Sequence, residues 1–320
     1  AAGALLPAAA PRVAAAATGP RAGAVIISTQ LARREGGGAG TGMVLTSSGL
    51  VLTNNHVIKG AATIRVTVPA RRRTYTAAVV GYDVGNDVAL LRLRGASGLA
   101  TVAVGDSSRV RIGDRVTAVG NAGGTGTLVV TRGEVTALDE STVVADPTDG
   151  TTERLTGLIA SSAPLEAGDS GGPLLNAAGR VVGMNTAASV GVGYPGTSSG
   201  GMAVAMDRAM ASVRSIRAGR ASATVHIGPT AFLGVRSGGG PQPDGGVLIG
   251  AIVPGTPAER AGLQAGDLIT SLAGVRVTSS LGLSRVMLRH HPGDRVRVRW
   301  TDAEGEPHVA TVTLARGAPA

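Results

Sequence analysis

Three residues of this 320-residue chain, Ser170, His56 and Asp87, could together perform nucleophilic acyl chemistry. Such chemistry needs a serine held at a tight turn, with backbone N–H groups aimed at one point. It also needs an imidazole to take the serine proton and a carboxylate to hold that imidazole in one tautomer. The stretch Gly168-Asp169-Ser170-Gly171-Gly172-Pro173 supplies the turn. Its glycines admit the backbone conformations that an oxyanion hole demands, with the N–H groups of Gly168 and Ser170 as donors. Of the five histidines, only His56 precedes the small, polar stretch at 218–224 that reads as a linker; the others are His226, His290, His291 and His308. His56 is therefore the imidazole local to Ser170. It stands where a strand enters a loop, in Leu52-Thr53-Asn54-Asn55-His56-Val57. Two carboxylates, Asp83 and Asp87, lie in the next polar turn. Asp87 directly precedes the largely apolar run at 88–93, a buried strand start suited to an orienting carboxylate, whereas Asp83 sits within the turn and is expected to be solvated.

The elements that must position these groups are short. Apolar runs rich in Val, Ile, Leu and Thr occur at 24–28, 42–45, 50–53, 63–68, 77–80, 88–93, 115–119, 128–130, 180–184 and 201–206. Gly, Asn, Asp and Ser separate them, which predicts strands at the spacing of barrels or sandwiches. A helical period over 207–218 predicts a helix closing this half of the chain. A second pattern follows the linker, with strands at 231–236, 247–253, 268–272, 275–277, 295–300 and 309–314 and helices over 257–261 and 281–290. The fold class is mainly β. The expected organisation is a flexible lead at 1–22, a first domain at 23–217, a linker at 218–228 and a smaller β domain at 229–317.

Composition narrows the function classes. With 43% hydrophobic and 16% charged residues, both halves are globular rather than disordered. The formal charge of +9 would suit a polyanion, but the arginines are dispersed except at Arg71-Arg72-Arg73, and no aromatics interleave them for base stacking. A solvated basic loop and no nucleic-acid partner are expected. The absence of cysteine excludes thiol catalysis and Cys-based zinc sites, and nothing else in the chain calls for a metal or cofactor. The Ala-rich start is broken by Pro7, Pro11 and Arg12, too soon for the roughly 20 apolar residues that span a bilayer. It reads as what remains after removal of an export signal or anchor, which implies a location outside the cytoplasm.

Gly-Asp-Ser-Gly-Gly-Pro, Thr-Asn-Asn-His-Val and Asn-Asp-Val-Ala-Leu-Leu, in the order His, Asp, Ser, resemble the trypsin-like serine proteases. More closely, they resemble the HtrA/Deg proteases and their secreted actinobacterial relatives. The resemblance runs over residues 24–314. It implies two six-stranded β-barrels with the catalytic groups in the cleft between them. His56 would be general base and then acid, Asp87 would orient it, and Ser170 would form the acyl-enzyme. One departure is Asp169, where HtrA proteases commonly carry Asn; local hydrogen bonds are expected of it here. Relatives often trimerise through aromatic residues near the N-terminus. This chain has none before Tyr75, so an implied homotrimer lacks its usual contacts.

The same resemblance places Pro164, six residues before Ser170, at the base of the pocket for the residue preceding the cut, with Asn185, Thr186, Ala187 and 201–204 as walls. Small apolar lining implies cleavage after Val, Ala, Ile or Leu. The C-terminal segments Phe232-Leu233-Gly234-Val235, Pro257-Ala258-Glu259-Arg260-Ala261-Gly262-Leu263 and Ala265-Gly266-Asp267-Leu268-Ile269 resemble a PDZ domain. A peptide C-terminus would add as a strand there, its carboxylate held near Leu233, Gly234 and Val235. Leu283, Val286 and Met287 would line the side-chain pocket or pack the core. Trp300 is expected in the core. The expected activity is endoproteolysis of unfolded or misfolded proteins in quality control; the alternative is a latent protease acting mainly as a PDZ-based binding protein or chaperone. An esterase elbow is excluded by the order His, Asp, Ser and by Pro173 after the serine turn.

Overall fold

The computed structural model describes residues 19–32, 36–145, 152–186, 200–238, 242 and 245–320. The first barrel comprises β1 (Ala24–Leu31), β2 (Gly37–Thr46), β3 (Leu50–Thr53), β4 (Ala61–Val68), β5 (Arg73–Asp83) and β6 (Val88–Leu93), with α1 (Asn55–Ile58) between β3 and β4. Its strands run in the order β5-β4-β1-β2-β3-β6, and pairing of β5 with β6 closes the ring. The second barrel comprises β7 (Arg115–Gly120), β8 (Val129–Ala145), β9 (Thr152–Ser161), β10 (Pro173–Asn176), β11 (Val181–Thr186) and β12 (Gly201–Ala205), closed in the order β10-β11-β12-β9-β8-β7. Helix α2 (Met206–Arg217) follows, where a helix over 207–218 is expected.

The apolar runs of β3 and β6 are buried on both faces, and this fixes the site. Val51, Ala89 and Leu91 point into the first barrel, beside Val25, Ile27 and Tyr82. Leu50, Leu52, Val88 and Leu90 point the other way, into a cluster shared with Val119, Leu158 and Met184 of the second barrel and Ile216 of α2. Each such leucine contributes roughly 1.5–3 kcal/mol by burial. The two strands pair with Thr53 opposite Ala89, so the chain leaving β3 toward His56 runs beside Asp87 entering β6.

Several elements differ from the sequence expectation. β2 starts at Gly37 rather than near 42, because four of its first six residues are glycines. A Cβ on Gly40 would lie 2.6 Å from Val57 Cγ1, and one on Gly37 would lie 2.2 Å from the Thr29 carbonyl oxygen, so close approach explains them. The short strand expected at 128–130 extends as β8 to Ala145 and pairs with β9, which the apolar pattern does not reveal. Much of β8 is at least partly exposed and carries Arg132, Glu134, Asp139 and Glu140, so it lacks an apolar stripe. The tract expected to be linker contains β13 (Val225–Ile227), which pairs with β5 and extends the first sheet. Residues 1–18 of the expected flexible lead lie outside the described residues, while Arg21 Nε donates to the Leu128 carbonyl at 3.0 Å.

The C-terminal domain contains β14 (Ala231–Phe232), β15 (Val235–Ser237), β16 (Val247–Ile252), α3 (Pro257–Arg260), β17 (Leu268–Leu272), β18 (Val275–Arg276), α4 (Ser280–Met287), β19 (Arg295–Thr301), β20 (Pro307–Thr313) and β21 (Ala315–Arg316). The strand expected over 231–236 is broken into β14 and β15 at Leu233-Gly234, with Gly234 at φ +103°. Trp300 is buried with Ile269, Leu272 and Val298, as expected. Among the described residues no helix is long and apolar enough to cross a membrane.

Candidate active site

Asp87 holds His56 at two points. Its Oδ1 accepts the His56 backbone N–H at 2.9 Å, and its Oδ2 lies 2.7 Å from His56 Nδ1. A carboxylate is an acceptor, so Nδ1 carries a proton, and in the neutral imidazole Nε2 is then the acceptor nitrogen. The Asp87 side chain is 7% exposed and that of His56 34%, so the carboxylate is enclosed and the imidazole reaches solvent. Asp87 sits at φ +52°, a left-handed conformation that Asp and Asn tolerate better than most residues. Its carbonyl accepts from Asn54 Nδ2 at 2.9 Å and from the Asn55 N–H at 3.2 Å, which locks this backbone to the entry of α1.

Asp83 corrects the sequence expectation. It is buried, not solvated, and bonds Ser212 Oγ at 2.6 Å, Asn86 Nδ2 at 2.8 Å and the Gly85 N–H at 3.1 Å. It braces the turn against α2. His226, set apart by its place in the chain, also joins the first sheet, opposite Tyr82. Its ring is fully buried, with Nδ1 at 2.7 Å from the Leu288 carbonyl and Nε2 at 3.1 Å from that of Pro229.

The turn bearing Ser170 is pinned peptide by peptide. The Ala167 carbonyl accepts from the Gly123 N–H at 2.8 Å. The peptide is planar and trans, so the Gly168 N–H points away from Gly123. The Glu166 carbonyl accepts from the Asp169 N–H at 3.0 Å, and that of Asp169 from the Gly172 N–H at 3.0 Å. Gly171 N–H donates to the Asn185 carbonyl, and Asn185 N–H to the Gly172 carbonyl, each at 2.8 Å. Gly168 has φ +101°, and a Cβ there would lie 2.2 Å from the Asn121 carbonyl oxygen. On Gly171 a Cβ would lie 2.1 Å from the Thr41 carbonyl oxygen and 3.2 Å from Asn54 N. The serine turn therefore abuts the chain two residues before His56.

Asp169 Oδ2 accepts the Glu166 N–H at 2.9 Å, the local bond expected of it, while its Oδ1 is buried and meets no donor. Burial, reinforced by the nearby Glu166 charge, raises this carboxyl above its ordinary range despite that bond. The folded state then binds the proton more tightly than the unfolded one. Stability tied to Asp169 is fully present below the unfolded pKa and is lost as pH rises through the folded one. Thermal unfolding followed from about pH 4 to about pH 8 should show wild type losing stability through this window and Asp169→Asn losing less, a difference of a few degrees in Tm. Equal slopes would assign the pH dependence elsewhere.

The proposed pocket residues divide. Pro164 is exposed, contrary to a place at a pocket base. Leu165 lies over β12 instead, with its Cγ 2.2 Å from where a Gly201 Cβ would stand. Asn185 and Thr186 are buried, and Asn185 spends its backbone groups on the serine turn. Ala187 lies outside the described residues.

In the C-terminal domain, Leu233, Gly234 and Val235 line a cavity of about 240 Å³ with Leu283 and Met287. Val286 instead packs in the domain core. Residues 318–320 form another wall. The Pro319 carbonyl accepts from the Gly60 N–H at 2.8 Å, and that of Ala320 from Asn55 Nδ2 at 2.8 Å, so this wall touches both ends of α1.

Known families match both halves. Residues 40–184 match the trypsin-like peptidase domain and residues 248–301 the PDZ domain. Over 265 residues the chain is 33% identical to a putative serine protease HhoA of Synechocystis, covering 78% of this chain and 64% of the relative. Over 289 residues it is 32% identical to the periplasmic pH-dependent serine endoprotease DegQ of Escherichia coli, covering 87% of this chain and 59% of the relative. The chain belongs to the HtrA family of trypsin-like serine proteases. A solved structure of the HtrA-type protease AlgW with a tripeptide aligns at a TM-score of 0.52 and 25% identity, covering 93% of this chain and 95% of that one. This HtrA chain spans about three-fifths of the length of the curated relatives it matches. Its single PDZ match follows the peptidase domain, the order expected from the sequence.

Proposed function

We propose that this chain is a serine endopeptidase acting through His56, Asp87 and Ser170, with protein and peptide substrates. The observation that carries the reading is the two-point grip of Asp87 on His56, beside a serine turn whose peptides are individually pinned. In the proposed cycle, His56 Nε2 takes the Ser170 hydroxyl proton as Oγ attacks the substrate carbonyl. The Gly168 and Ser170 N–H groups receive the developing oxyanion. The imidazolium then protonates the leaving amine, and water activated by the same Nε2 releases the acyl group. Small apolar surroundings, with Leu165 over Gly201 and Ala203 buried in the same strand, support cleavage after small or medium aliphatic residues. Such pockets separate neighbouring sizes by only about 1–3 kcal/mol, so specificity is broad. Unfolded chains fit as substrates because they offer such sites in extended form.

We assign the cavity beside Leu233, Gly234 and Val235 to peptide C-termini, bound as an added strand between β15 and α4. By analogy with the periplasmic DegQ, the protein works outside the cytoplasmic membrane. Two measurements test the reading together: release of soluble fragments from unfolded casein, and covalent labelling by a fluorophosphonate probe mapped by mass spectrometry. Fragment release with the label on Ser170 is expected. Fragment release with the label on another residue, or neither signal, would overturn the assignment.

A further inference from the structure

The pinned turn contains one bond of a different kind. Every carbonyl from Glu166 to Asp169 has a partner, and all are backbone N–H groups except for Gly168. The Gly168 carbonyl accepts from the hydroxyl of Thr41 at 2.8 Å. Thr41 belongs to β2 in the other barrel and is fully buried. Its hydroxyl accepts in turn from the Asn121 N–H at 2.9 Å, and its own N–H donates to the Ser170 carbonyl at 2.8 Å. Its carbonyl accepts from Thr53 Oγ1 at 2.7 Å, three residues before His56. Donor, acceptor and backbone groups of Thr41 are thus all committed, and they connect both halves of the site.

We propose that Thr41 is a positioning residue for the oxyanion hole, supplied by the first barrel to the nucleophile turn of the second. Gly168 is a glycine at φ +101°, free of the Cβ that would restrict its rotation. Its two flanking peptides are therefore held from outside. Gly123 holds the peptide that carries the Gly168 N–H. The Thr41 hydroxyl holds the next one, which joins Gly168 to Asp169. Without that hydroxyl the Gly168–Asp169 peptide keeps only the bond from the Asp169 N–H to the Glu166 carbonyl, within the same turn, and loses its one tie to the other barrel, so the Gly168 and Ser170 donors are held less firmly on one point. Since this anchor spans the barrel interface, it couples the precision of the hole to the docking of the barrels.

This inference rests on the peptidase reading above, so Ser170→Ala is run beside each variant. Thr41→Val keeps the shape and the methyl group that packs near Gly172 but removes the hydroxyl. We expect kcat to fall about 10- to 100-fold, short of the loss of a donor itself, with KM within about threefold. Affinity for a peptide aldehyde, whose bound adduct needs the oxyanion hole, should fall in parallel with kcat. Thr41→Ser should restore both to within about threefold of wild type. If the valine variant fails to unfold cooperatively, Thr41→Ala, which leaves space rather than a methyl, takes its place with the same expectation. A hydroxyl-free variant with wild-type kcat and aldehyde affinity would overturn the proposal, as would a serine variant as impaired as valine. Loss of folding in both valine and alanine variants, with serine native, would make Thr41 purely structural. Equal casein turnover by wild type and Ser170→Ala would instead sink the peptidase reading itself.

Discussion

Ser170→Ala is expected to lower kcat on an unfolded protein substrate by about 10⁶-fold, while substrate binding changes little. The variant loses the attacking oxygen but keeps the surroundings. Neighbouring carbonyls and N–H groups hold the turn through the backbone, and alanine keeps the Cβ at a position that is already buried. Any remaining turnover, about 10³-fold over water, would come from oxyanion donors and substrate placement alone. The thermal midpoint should stay within about 4 °C of wild type, because a buried hydroxyl contributes about 1 kcal/mol. Progress curves on a quenched fluorescent peptide, read beside the melting curve, separate chemistry from folding. A variant retaining more than about 1% of wild-type kcat would place the nucleophile elsewhere.

The second large effect is at the carboxylate. Asp87→Asn is expected to cost about 10⁴-fold in kcat near neutral pH, with the fold intact. The present carboxylate accepts twice, from the His56 backbone N–H and from Nδ1–H. An amide has one acceptor oxygen. If that oxygen serves the backbone N–H, the NH₂ faces Nδ1 and forces the proton onto Nε2, where it blocks abstraction from serine. If it serves Nδ1–H, the NH₂ confronts the backbone N–H, and α1 loses an anchor. The backbone itself is not disturbed, since Asn tolerates φ +52° as readily as Asp. Asp83→Asn is the matched control. Its bonds run to Ser212, Asn86 and Gly85, so it should perturb stability more than kcat. Steady-state kinetics of both variants decide the assignment, and a larger kcat loss in Asp83→Asn would reverse it.

The distinction between these two aspartates was only partly legible in the sequence. Asp87 could be read because it abuts an apolar strand. The burial of Asp83 could not, because its partner Ser212 lies 129 positions away on a helix whose docking depends on both barrels. The same limit applied to β8 and β9, whose mixed, partly exposed residues give no apolar period. It applied to β13 too, a strand of three residues recognisable only from its pairing with β5. Counting back six residues from Ser170 reaches Pro164, which is exposed, whereas its neighbour Leu165 packs over Gly201 of β12, a difference that depends on how the loop folds back on that strand.

Local runs of the sequence carry the candidate catalytic groups. Gly168-Asp169-Ser170-Gly171-Gly172 specifies a turn that only glycines permit, and the apolar runs after Gly49 and Asp87 specify strands whose ends deliver His56 and Asp87. Those features depend on neighbours within a few residues, so they survive without knowledge of the fold. The distant groups that hold those residues in place emerge from the folded chain alone. Thr41 reads locally as one hydroxyl between two glycines, with no periodic or charge signal. Its role arises from hydrogen bonds to Asn121 and Gly168, which lie 80 and 127 positions away. Those bonds exist because packing of Leu50, Leu52 and Leu90 against Val119 and Met184 brings the two barrels together, and burial then leaves the polar groups at that seam no partner but one another.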